Sequence, residues 1–528
     1  MSNERKSSRT WSRLRLGGLG ALSGLLAGYA ALAVAELVSA AVRPESGPVV
    51  AVGGAAIDRT PPAVKDWAIR HFGTNDKLVL QLGILAVLTL LALVLGVLAA
   101  RYQRIGSAGV LLFGVVGALA ATSRPDSTSA ADGLPSMAGA VVGAGLLYWL
   151  AGRLRPREHP EGAAPDWDRR GFVIAATAAA VASTGAGVLG RSLNSSKGRS
   201  AVASRSRVVL PAPVSAAAPV PRGAELRIKD ISPFITPNGD FYRVDTALVV
   251  PKVDATAWSL RIHGKGVTRE LKVTFADLLA MPLIERDITL TCVSNEVGGP
   301  YVGNARWIGV RLADLLSGCG VRPPSKGGPA DQLVARSVDG MTIGSPVEDV
   351  MDGRDAMLAL GMNGRPLPFE HGFPVRMLVP GLYGYVSACK WIKDIELTTF
   401  DAYDPYWVRR DWARRAPIKT ESRIDTPRPF ARPKEGTVMV AGVAWAQHRG
   451  IDKVEIQVDD GPWEQADLAA EDTRDTWRQW SFPWRATPGG HTLTVRATDR
   501  TGETQTEKRT RTIPDGASGR HSVFVTVG

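Results

Sequence analysis

Long hydrophobic stretches, separated by short polar segments, recur through the first 200 residues of the chain. Five of them approach the roughly 20 residues that an apolar helix needs to cross a bilayer. They run approximately from Leu14 to Val42, Leu78 to Ala100, Ile105 to Thr122, Leu134 to Gly152 and Gly171 to Gly190. The third and fifth are rich in Ala and Gly and only marginally hydrophobic, so four spans are an alternative. The pattern predicts an N-terminal transmembrane helical bundle, over residues 1–190, in the lipid bilayer.

Basic residues beside these stretches predict how the bundle is oriented, because Lys and Arg are retained on the cytoplasmic side. Three clusters precede the first span, separate the second from the third, and precede the fifth. Their members are Arg5, Lys6, Arg9, Arg13 and Arg15, then Arg101 and Arg104, then Arg153, Arg155, Arg157, Arg169 and Arg170. All three fall on one side of a five-span bundle. We therefore expect a multi-pass protein of the cell membrane, with a cytoplasmic N-terminus and everything after Gly190 outside the cytoplasm.

Ionisable residues are nearly absent from the predicted spans, Glu36 excepted, and none of the 7 histidines lies within one. Polar groups inside a membrane mark ion paths or cofactor ligands. Their scarcity argues against a transporter and against a haem held by two histidines. It favours a membrane anchor.

The pattern changes after the last span. Residues 191–222 are rich in Ser, Ala, Pro and Arg without apolar periodicity, which predicts an extended tether. Over residues 223–430, short strands alternate with short helices and predict an α+β domain. The clearest strands are Trp258–Ile262 and Asp287–Thr291, and the clearest helices are Thr274–Leu279 and Leu312–Leu316.

Residues 431–528 contain strand patterns only, at Thr437–Ala444, Lys453–Val458, Thr476–Phe482 and Gly490–Thr498. Regular short strands over this length predict a β-sandwich of immunoglobulin type. Five tryptophans are expected to pack in its core or at an interface, with the core preferred: Trp445, Trp463, Trp477, Trp480 and Trp484.

Composition excludes several classes of protein. The net charge of +12 comes from Lys and Arg spread along all 528 residues, without the basic stripe and interleaved aromatics of a nucleic-acid binder. The 3 cysteines, Cys292, Cys319 and Cys389, form no CxxC pair and no disulfide framework. The few histidines argue against zinc or copper sites built from several imidazoles.

Cys292 is the most informative of these cysteines. It ends an apolar strand and is followed by a small-residue turn, from which a thiolate can project into a pocket and bind a redox-active metal. About eighty residues later, Gly and Pro fix turns around a cationic block, His371–Trp391. There His371, Arg376 and Lys390 suit a phosphate and a polar heterocycle. Each residue alone is more often structural, but together they predict an anion-binding cleft.

These motifs, in this order, resemble the sulfite oxidase family of molybdopterin-dependent oxidoreductases, in a membrane-anchored bacterial form. The resemblance extends from about Ile235 to the C-terminus. The matching segments are Thr236–Asn238, Phe241–Arg243, the Cys292 strand, Trp307–Val310, Ser337–Asp339, Met362–Gly364 and the His371–Trp391 block.

The resemblance implies a molybdenum–molybdopterin cofactor with Cys292 as the thiolate ligand of the metal. It implies catalytic roles for Cys292 and for Arg243, which would face the substrate if a one-residue gap precedes Phe241. The residues that it implies to bind the cofactor are Asn238, Tyr242, Arg243, Asp339, His371, Arg376, Ser387 and Lys390. The reaction implied is transfer of an oxygen atom between a small substrate and water, with two electrons passed on singly.

Two departures from the family pattern bear on the substrate. Leu360 stands where sulfite-oxidising members have a tyrosine, and Cys292–Val297 reads Cys-Val-Ser-Asn-Glu-Val where they have Cys-Ala-Gly-Asn-Arg-Arg. A pocket that loses a phenol and two arginines and gains a carboxylate binds a small dianion less well. Sulfite is therefore disfavoured as substrate, and a reductase role, as in members that reduce sulfoxides, is equally open.

Partners follow from what the chain lacks. It carries no haem motif, flavin fingerprint or cysteine cluster for iron–sulfur chemistry, so we expect a separate electron-transfer partner, a cytochrome or a quinone-linked membrane protein. The resemblance also implies a homodimer through the C-terminal sandwich. A non-catalytic envelope scaffold or receptor that retains the fold is the main alternative.

The segment Asp168–Ile174 contains Arg169 and Arg170 ahead of a weakly hydrophobic helix and is similar to an internal twin-arginine export signal. Export of folded protein would suit a domain that receives its cofactor before crossing. An ordinary pair of positive-inside arginines is the alternative.

Overall fold

The computed structural model of the protein describes residues 2–61, 64, 67–68, 71–72, 76–127, 129–154 and 169–528. It divides into two compact units. The N-terminal unit comprises Met1–Ser200 with Thr246–Val250, and the C-terminal unit comprises Ala201–Asp245 with Pro251–Gly528.

Six helices occur in the described part of the N-terminal unit, and the last of them continues into the C-terminal unit. They are α1 (Ser2–Ala41), α2 (Pro48–Arg59), α3 (Asp76–Arg101), α4 (Gln103–Thr122), α5 (Leu134–Arg153) and α6 (Arg169–Ser206). Among the described residues, five stretches are long and apolar enough to cross a membrane: Leu16–Ala41, Lys77–Arg101, Gln103–Thr122, Ala130–Arg153 and Arg170–Ser206. They coincide with the five predicted spans rather than with four. Of the predicted basic clusters, Arg155 and Arg157 lie outside the described residues, as does Asp168 of the proposed export segment.

Small residues allow these helices to pack closely. A Cβ atom on Gly24 of α1 would lie 1.9 Å from the carbonyl oxygen of Ala92 in α3, and one on Gly96 would lie 2.2 Å from that of Gly20. Only glycine permits backbones to approach so closely. Small residues four apart are typical of helix interfaces inside a bilayer.

Polar side chains join the helices at two places. Asn194 of α6 donates from Nδ2 to Oε1 of Glu36 in α1 at 2.8 Å. Arg43, just after α1, pairs with Asp126 at 3.2 Å and with Asp132 at 3.1 Å, and both carboxylates are almost fully buried. The one ionisable residue singled out within the spans therefore fastens the last helix to the first.

The tether predicted over residues 191–222 is wrong in its first half. Helix α6 continues to Ser206, because no proline lies between Arg169 and Leu210 and serine hydroxyls within it donate to carbonyls of the same helix, as Ser195 does to Ser192. The rest of the segment is extended but packed: the Val214 amide donates to Leu283 at 2.9 Å, and Ser215 forms a parallel bridge with Ile284. These contacts could not be predicted, because the composition of the segment does not indicate which distant residues it contacts.

Two sheets form the first part of the C-terminal unit. Its strands are β1 (Ser259–Gly264), β2 (Leu271–Thr274), β3 (Leu283–Thr291), β4 (Val302–Arg311), β5 (Gln332–Ser337), β6 (Thr342–Pro346), β7 (Met357–Met362), β8 (Arg365–Pro366), β9 (Arg376–Leu378) and β10 (Ile392–Thr398). Its helices are α7 (Phe275–Ala280), α8 (Leu312–Gly318), α9 (Val347–Met351) and α10 (Gly384–Ser387). One sheet has the order β2-β1-β10-β5-β6 and the other β3-β4-β7-β8, with β9 also paired to β7. The α+β prediction is confirmed, because the predicted strands and helices coincide with β1, β3, α7 and α8, although β3 begins at Leu283, ahead of the predicted start at Asp287.

Eight strands form two further sheets at the C-terminal end. They are β11 (Glu421–Thr426), β12 (Gly436–Trp445), β13 (Ile451–Val458), β14 (Trp463–Gln465), β15 (Asp467–Leu468), β16 (Arg478–Ala486), β17 (Gly489–Asp499) and β18 (His521–Val527). The sheets have the orders β11-β12-β16-β15 and β14-β13-β17-β18, and their strands pair antiparallel. The sheets begin at β11, ahead of the boundary predicted at residue 431. The predicted boundary was too late because the proline-rich segment after β11 has the composition of a linker, although it connects β11 and β12 of the same sheet.

The tryptophans divide between two cores. Trp480 and Trp484 are buried with the C-terminal sheets, whereas Trp445 and Trp477 are buried in the hydrophobic core of the α+β part. Trp463 is only partly buried, and Arg496 lies 4.1 Å from its ring centroid. The prediction that they pack in the core of the C-terminal sheets is therefore confirmed for Trp480 and Trp484 and wrong for Trp445 and Trp477, which are buried in the other core.

Strand β3, which leads to Cys292, lies at the end of its sheet, and residues far along the chain cover its outer edge. The Thr289 amide donates to the Asp475 carbonyl at 2.9 Å, and the Trp477 amide donates to the Thr289 hydroxyl at 2.7 Å. Gln447 adds a bond from Nε2 to the Thr289 carbonyl at 3.0 Å. These bonds satisfy backbone groups that an edge strand otherwise leaves open.

Candidate active site

Cys292 follows directly on β3, in a turn held by backbone hydrogen bonds. Its amide donates to Tyr301 at 2.9 Å, and its carbonyl accepts from the Asn295 amide at 3.0 Å. Its Sγ lies 2.9 Å from Oγ of Ser294. Burial raises the pKa of the thiol, and the contact with Ser294 lowers it. The side chain is only partly buried, so the sulfur is placed to bind a partner.

Tyr242 and His371 lie in the same region. Tyr242 stacks on Phe241 at 5.1 Å between ring centroids, and burial and the nearby Cys292 raise its pKa against an opposing effect of Arg376. His371 is buried, and its Nε2 lies 3.0 Å from the Asn238 carbonyl. Because burial lowers the pKa of His371 to about 4, the ring is neutral near pH 7. Nε2 then donates to the carbonyl, which leaves Nδ1 as an acceptor.

Asn238 is fixed by the turn between β7 and β8. Its Nδ2 donates to the Met362 carbonyl at 3.2 Å, and its Oδ1 accepts from Nδ2 of Asn363 at 2.7 Å. Asn363 has φ of 52°, a left-handed conformation that asparagine tolerates better than most residues. The Met362–Gly364 motif thus positions the segment that carries Asn238.

Arg376 is the most unusual charge in the site. Its residue is only 6 % exposed, its Nη1 donates to the His371 carbonyl at 3.2 Å, and its guanidinium lies 5.1 Å from the Trp307 ring. Its Nε is buried without a hydrogen-bond partner, and no carboxylate among the described residues lies within ion-pair distance. Burial lowers its pKa to about 10, so it keeps its charge at pH 7. A buried cation without a counter-ion is the environment that an anionic ligand would complete.

Glycine brings Arg376 and Lys390 side by side. Gly372 has φ of 108°, and a Cβ there would lie 3.0 Å from Arg376 Cβ and 3.1 Å from Lys390 Cα. Lys390 pairs through Nζ with Asp245 at 3.1 Å, and Arg243 pairs with the same carboxylate at 3.0 Å. Asp245 could not be predicted from any local sequence pattern, because only the fold brings it to Lys390, 145 residues away in the chain.

Asp339 and Ser387 complete the predicted set. Oδ1 of Asp339 accepts from the Met341 amide at 3.3 Å, and burial raises the pKa of this carboxyl. Ser387 ends α10, and its hydroxyl donates to the carbonyls of Leu382 at 2.9 Å and Tyr383 at 3.1 Å. Only the lone pairs of Ser387 are therefore left for a ligand.

The two departures noted in the sequence lie in different environments. Leu360 is fully buried in β7 as a core residue, whereas Glu296 is exposed in the turn after Cys292. The difference at position 360 therefore affects the packing of the core, whereas the difference at position 296 affects the exposed surface of the turn after Cys292.

These residues fit a molybdenum–pterin group. Cys292 supplies one soft sulfur ligand, the buried Arg376 and the Lys390 ammonium offer positive charge for a phosphate, and neutral His371, Asn238 and Asp339 offer donors and acceptors for a heterocycle. Arg376 is the strongest sign, because its buried guanidinium combines an Nε without a hydrogen-bond partner with the lack, among the described residues, of any carboxylate within ion-pair distance.

Comparison with known proteins agrees. A family model described as "Oxidoreductase molybdopterin binding domain" matches residues 247–407, a range that includes Cys292, Asp339, His371, Arg376, Ser387 and Lys390. The uncharacterized oxidoreductase YuiH of Bacillus subtilis is 32% identical over 162 residues, which cover 31% of this chain and 75% of that protein. The mitochondrial sulfite oxidase of Rattus norvegicus is 29% identical over 290 residues, covering 47% of this chain and 53% of that protein.

The chain belongs to the sulfite oxidase family. Its cofactor is accordingly the molybdenum–molybdopterin complex of these oxidoreductases. The chain spans about half the length of the sulfite oxidases that it matches. Among solved structures, the sulfane dehydrogenase SoxCD from Paracoccus pantotrophus is similar, with 25% identity, a TM-score of 0.48 and coverage of 56% of this chain and 81% of that one.

Proposed function

We propose that this member of the family is a membrane-anchored oxidoreductase that carries out two-electron oxygen-atom transfer on a small substrate outside the cytoplasm. The observation that carries the proposal is that one domain holds both a partly buried thiol at the end of β3 and a buried guanidinium without a counter-ion among the described residues. A scaffold that merely kept the fold would have no use for a desolvated charge of this kind.

The proposed roles of the residues follow from their contacts. Cys292 would hold the metal, and Arg376 and Lys390 would neutralise the phosphate. Neutral His371 keeps the Asn238 segment in place, while Asp339, Tyr242 and the lone pairs of Ser387 orient the heterocycle. The cofactor, when bound, supplies the two-electron redox chemistry and the site of oxygen transfer.

Arg243 is the proposed residue for the substrate. Its side chain is 39% exposed and held by Asp245, so it reaches solvent from a fixed position. Asp245 partly neutralises the charge of Arg243, and Glu296 adds a negative charge in the turn beyond Cys292. This charge distribution favours a substrate that is less negatively charged than sulfite. Oxidation and reduction of such a substrate, for instance of a sulfoxide, both fit this pocket.

The location and partners are part of the proposal. The five helices serve as an anchor with a cytoplasmic N-terminus, and the Arg169–Arg170 pair serves as an export signal for the folded, loaded domain. A cytochrome or a quinone-linked membrane protein exchanges electrons with the site. The two C-terminal sheets form an immunoglobulin-like sandwich through which two copies associate.

Molybdenum analysis of the purified full-length protein tests the proposal. We expect about one Mo per wild-type chain, and a lower content or an altered Mo spectrum in Cys292→Ser, which removes the thiolate. Cys319→Ala is the matched control, since Cys319 is buried in the hydrophobic core of the same unit, and it should retain the metal. A well-folded wild-type protein without molybdenum, made in a host that produces the cofactor, would refute the enzyme proposal and favour the envelope scaffold.

A further inference from the structure

We propose that Ser294 tunes the redox potential of the molybdenum centre by donating a hydrogen bond to the Cys292 thiolate. The inference rests on the proposed function, because it requires Cys292 to be the ligand of the metal. It adds a residue outside the set assigned above.

The contact is direct and built into a fixed turn. Ser294 Oγ lies 2.9 Å from Cys292 Sγ. Asn295, the next residue, is buried, and its Oδ1 accepts from the Tyr301 amide at 2.8 Å. Since the Cys292 amide in turn donates to the Tyr301 carbonyl, the backbone on both sides of Ser294 is held in place. The hydroxyl is therefore presented to the sulfur by the fold.

The direction of the bond follows from the state of the sulfur. In a free thiol either atom could donate, but a sulfur bound to a metal carries no proton. Ser294 is then the only possible donor of the pair. Among the residues that the structure describes, this hydroxyl has no other hydrogen-bond partner to compete with the sulfur.

A donor at this sulfur changes the metal because it withdraws electron density from the ligand. A thiolate that accepts a hydrogen bond donates less strongly to the metal, and this stabilises the more electron-rich, reduced state. Removal of the hydroxyl should therefore lower the reduction potential. Ser294 acts through Cys292, so it is a positioning residue and not a catalytic one.

The hydrogen bond between Ser294 and Cys292 is specific to this chain and is not expected from the family pattern that the chain resembles. In the Cys-Ala-Gly-Asn-Arg-Arg pattern of sulfite-oxidising members, a glycine without a side chain stands at the position of Ser294. The turn that lacks these two arginines thus also carries a hydroxyl beside the sulfur proposed to bind the metal. A shifted potential would suit a substrate or direction of reaction different from sulfite oxidation.

Redox titration of the full-length, molybdenum-loaded protein, followed by Mo(V) electron paramagnetic resonance, tests the inference. In Ser294→Ala we expect unchanged Mo content, a lower midpoint potential and altered g values. The sulfur-to-metal absorption of the oxidised protein should move to longer wavelength. Ser294→Thr keeps a hydroxyl and should restore wild-type values, and Val293→Ala, which changes packing in the same turn, should leave them unaltered.

The outcomes separate this inference from the proposed function. If the wild-type protein holds no molybdenum, the proposed function fails. If it holds molybdenum and both Ser294→Ala and Ser294→Gly keep its potential and spectra, only the role of Ser294 is overturned. If both variants lose the metal while Ser294→Thr retains it, the hydroxyl serves metal retention, and tuning of the potential is again refuted.

Discussion

Glu421, the first residue of β11, illustrates how burial of a single carboxyl group affects this molecule. Its residue is 3% exposed, and its Oε1 has no hydrogen-bond partner among the described residues. Burial raises the pKa of the carboxyl from 4.5 to about 8, against a smaller opposing effect of Lys419. Tyr383, whose pKa is raised by burial and by Glu421, is the other titratable group that faces it. Glu421 is therefore protonated in the native protein near neutral pH.

This protonation predicts how stability depends on pH. Between the ordinary value of 4.5 and about 8, the unfolded chain releases a proton that the folded chain keeps. The contribution of Glu421 to stability is thus neutral below pH 4.5, becomes more unfavourable as pH rises, by at most about 1.4 kcal/mol per unit, and levels off above pH 8. Glu421→Gln should therefore unfold at a higher temperature than wild type at pH 8 and at nearly the same temperature at pH 5.

Thermal unfolding of the detergent-solubilised protein at pH 5, 6.5 and 8 would measure the difference. Glu435→Gln, at an exposed position, removes the same charge and should show no such trend. A constant difference between Glu421→Gln and wild type across this pH range would contradict the assignment.

Individual site residues differed in how well the sequence revealed them. His371, Arg376 and Lys390 could be predicted because they lie within one block of Gly and Pro turns. The partner that Lys390 and Arg243 share, Asp245, could not be predicted, because an ion pair across 145 residues leaves no local pattern. The contact between Ser294 and Cys292 depends on the conformation of a turn and could likewise not be predicted from the sequence.

At the scale of elements, local periodicity predicted individual strands and helices, but it could not predict which of them pair in the folded chain. The predicted strand Asp287–Thr291 lies within β3, and the predicted helix Thr274–Leu279 is α7, capped by Thr274. The order of strands in each sheet and the role of Ser215 beside β3 depend on contacts between distant residues. Helix α6 extends beyond the predicted span because its last turns contain Ala, Arg and Leu, which favour a helix whatever their hydropathy, and contain no proline.

The ends of three elements in the N-terminal unit depend on one arginine. Arg43 pairs with Asp126 and Asp132, whose side chains are 1% and 2% exposed, and Arg124 also pairs with Asp126 at 2.7 Å. Removal of one partner from a buried ion pair is costly because the remaining charge stays desolvated. Arg43→Ala should therefore destabilise this unit by about 3 kcal/mol.

The thermal midpoint of the detergent-solubilised protein would show this loss. Arg59→Ala, at an exposed position on α2, is a suitable control and should have little effect. Equal midpoints for Arg43→Ala and Arg59→Ala would mean that the cluster does not stabilise the helix ends.

For the whole molecule, the number of spans determines on which side each end lies. With five crossings, protease added to spheroplasts should remove an epitope tag placed after Gly528 and leave an N-terminal tag intact until detergent is added. Protection of both tags would indicate an even number of crossings and contradict the proposed location.

The Arg169–Arg170 pair can be examined in the same assay. A double replacement by lysine keeps both positive charges, so it should preserve orientation if the arginines act only through charge. If they form a twin-arginine signal, the replacement should leave the C-terminal tag protected. A fully accessible tag in the double variant would refute the export signal without affecting the anchor.

The hydrogen bonds on the outer edge of β3 have a consequence for biosynthesis. Asp475 and Trp477, which cover this edge beside Thr289, emerge from the ribosome almost 200 residues after it. Until then a nascent chain presents the end of β3 near Thr289 with unpaired backbone groups, open to pairing with another chain. Truncated copies should therefore aggregate rather than load cofactor. The site can therefore bind the cofactor only near the end of translation. Synthesis of the residues proposed to contact the cofactor is not sufficient.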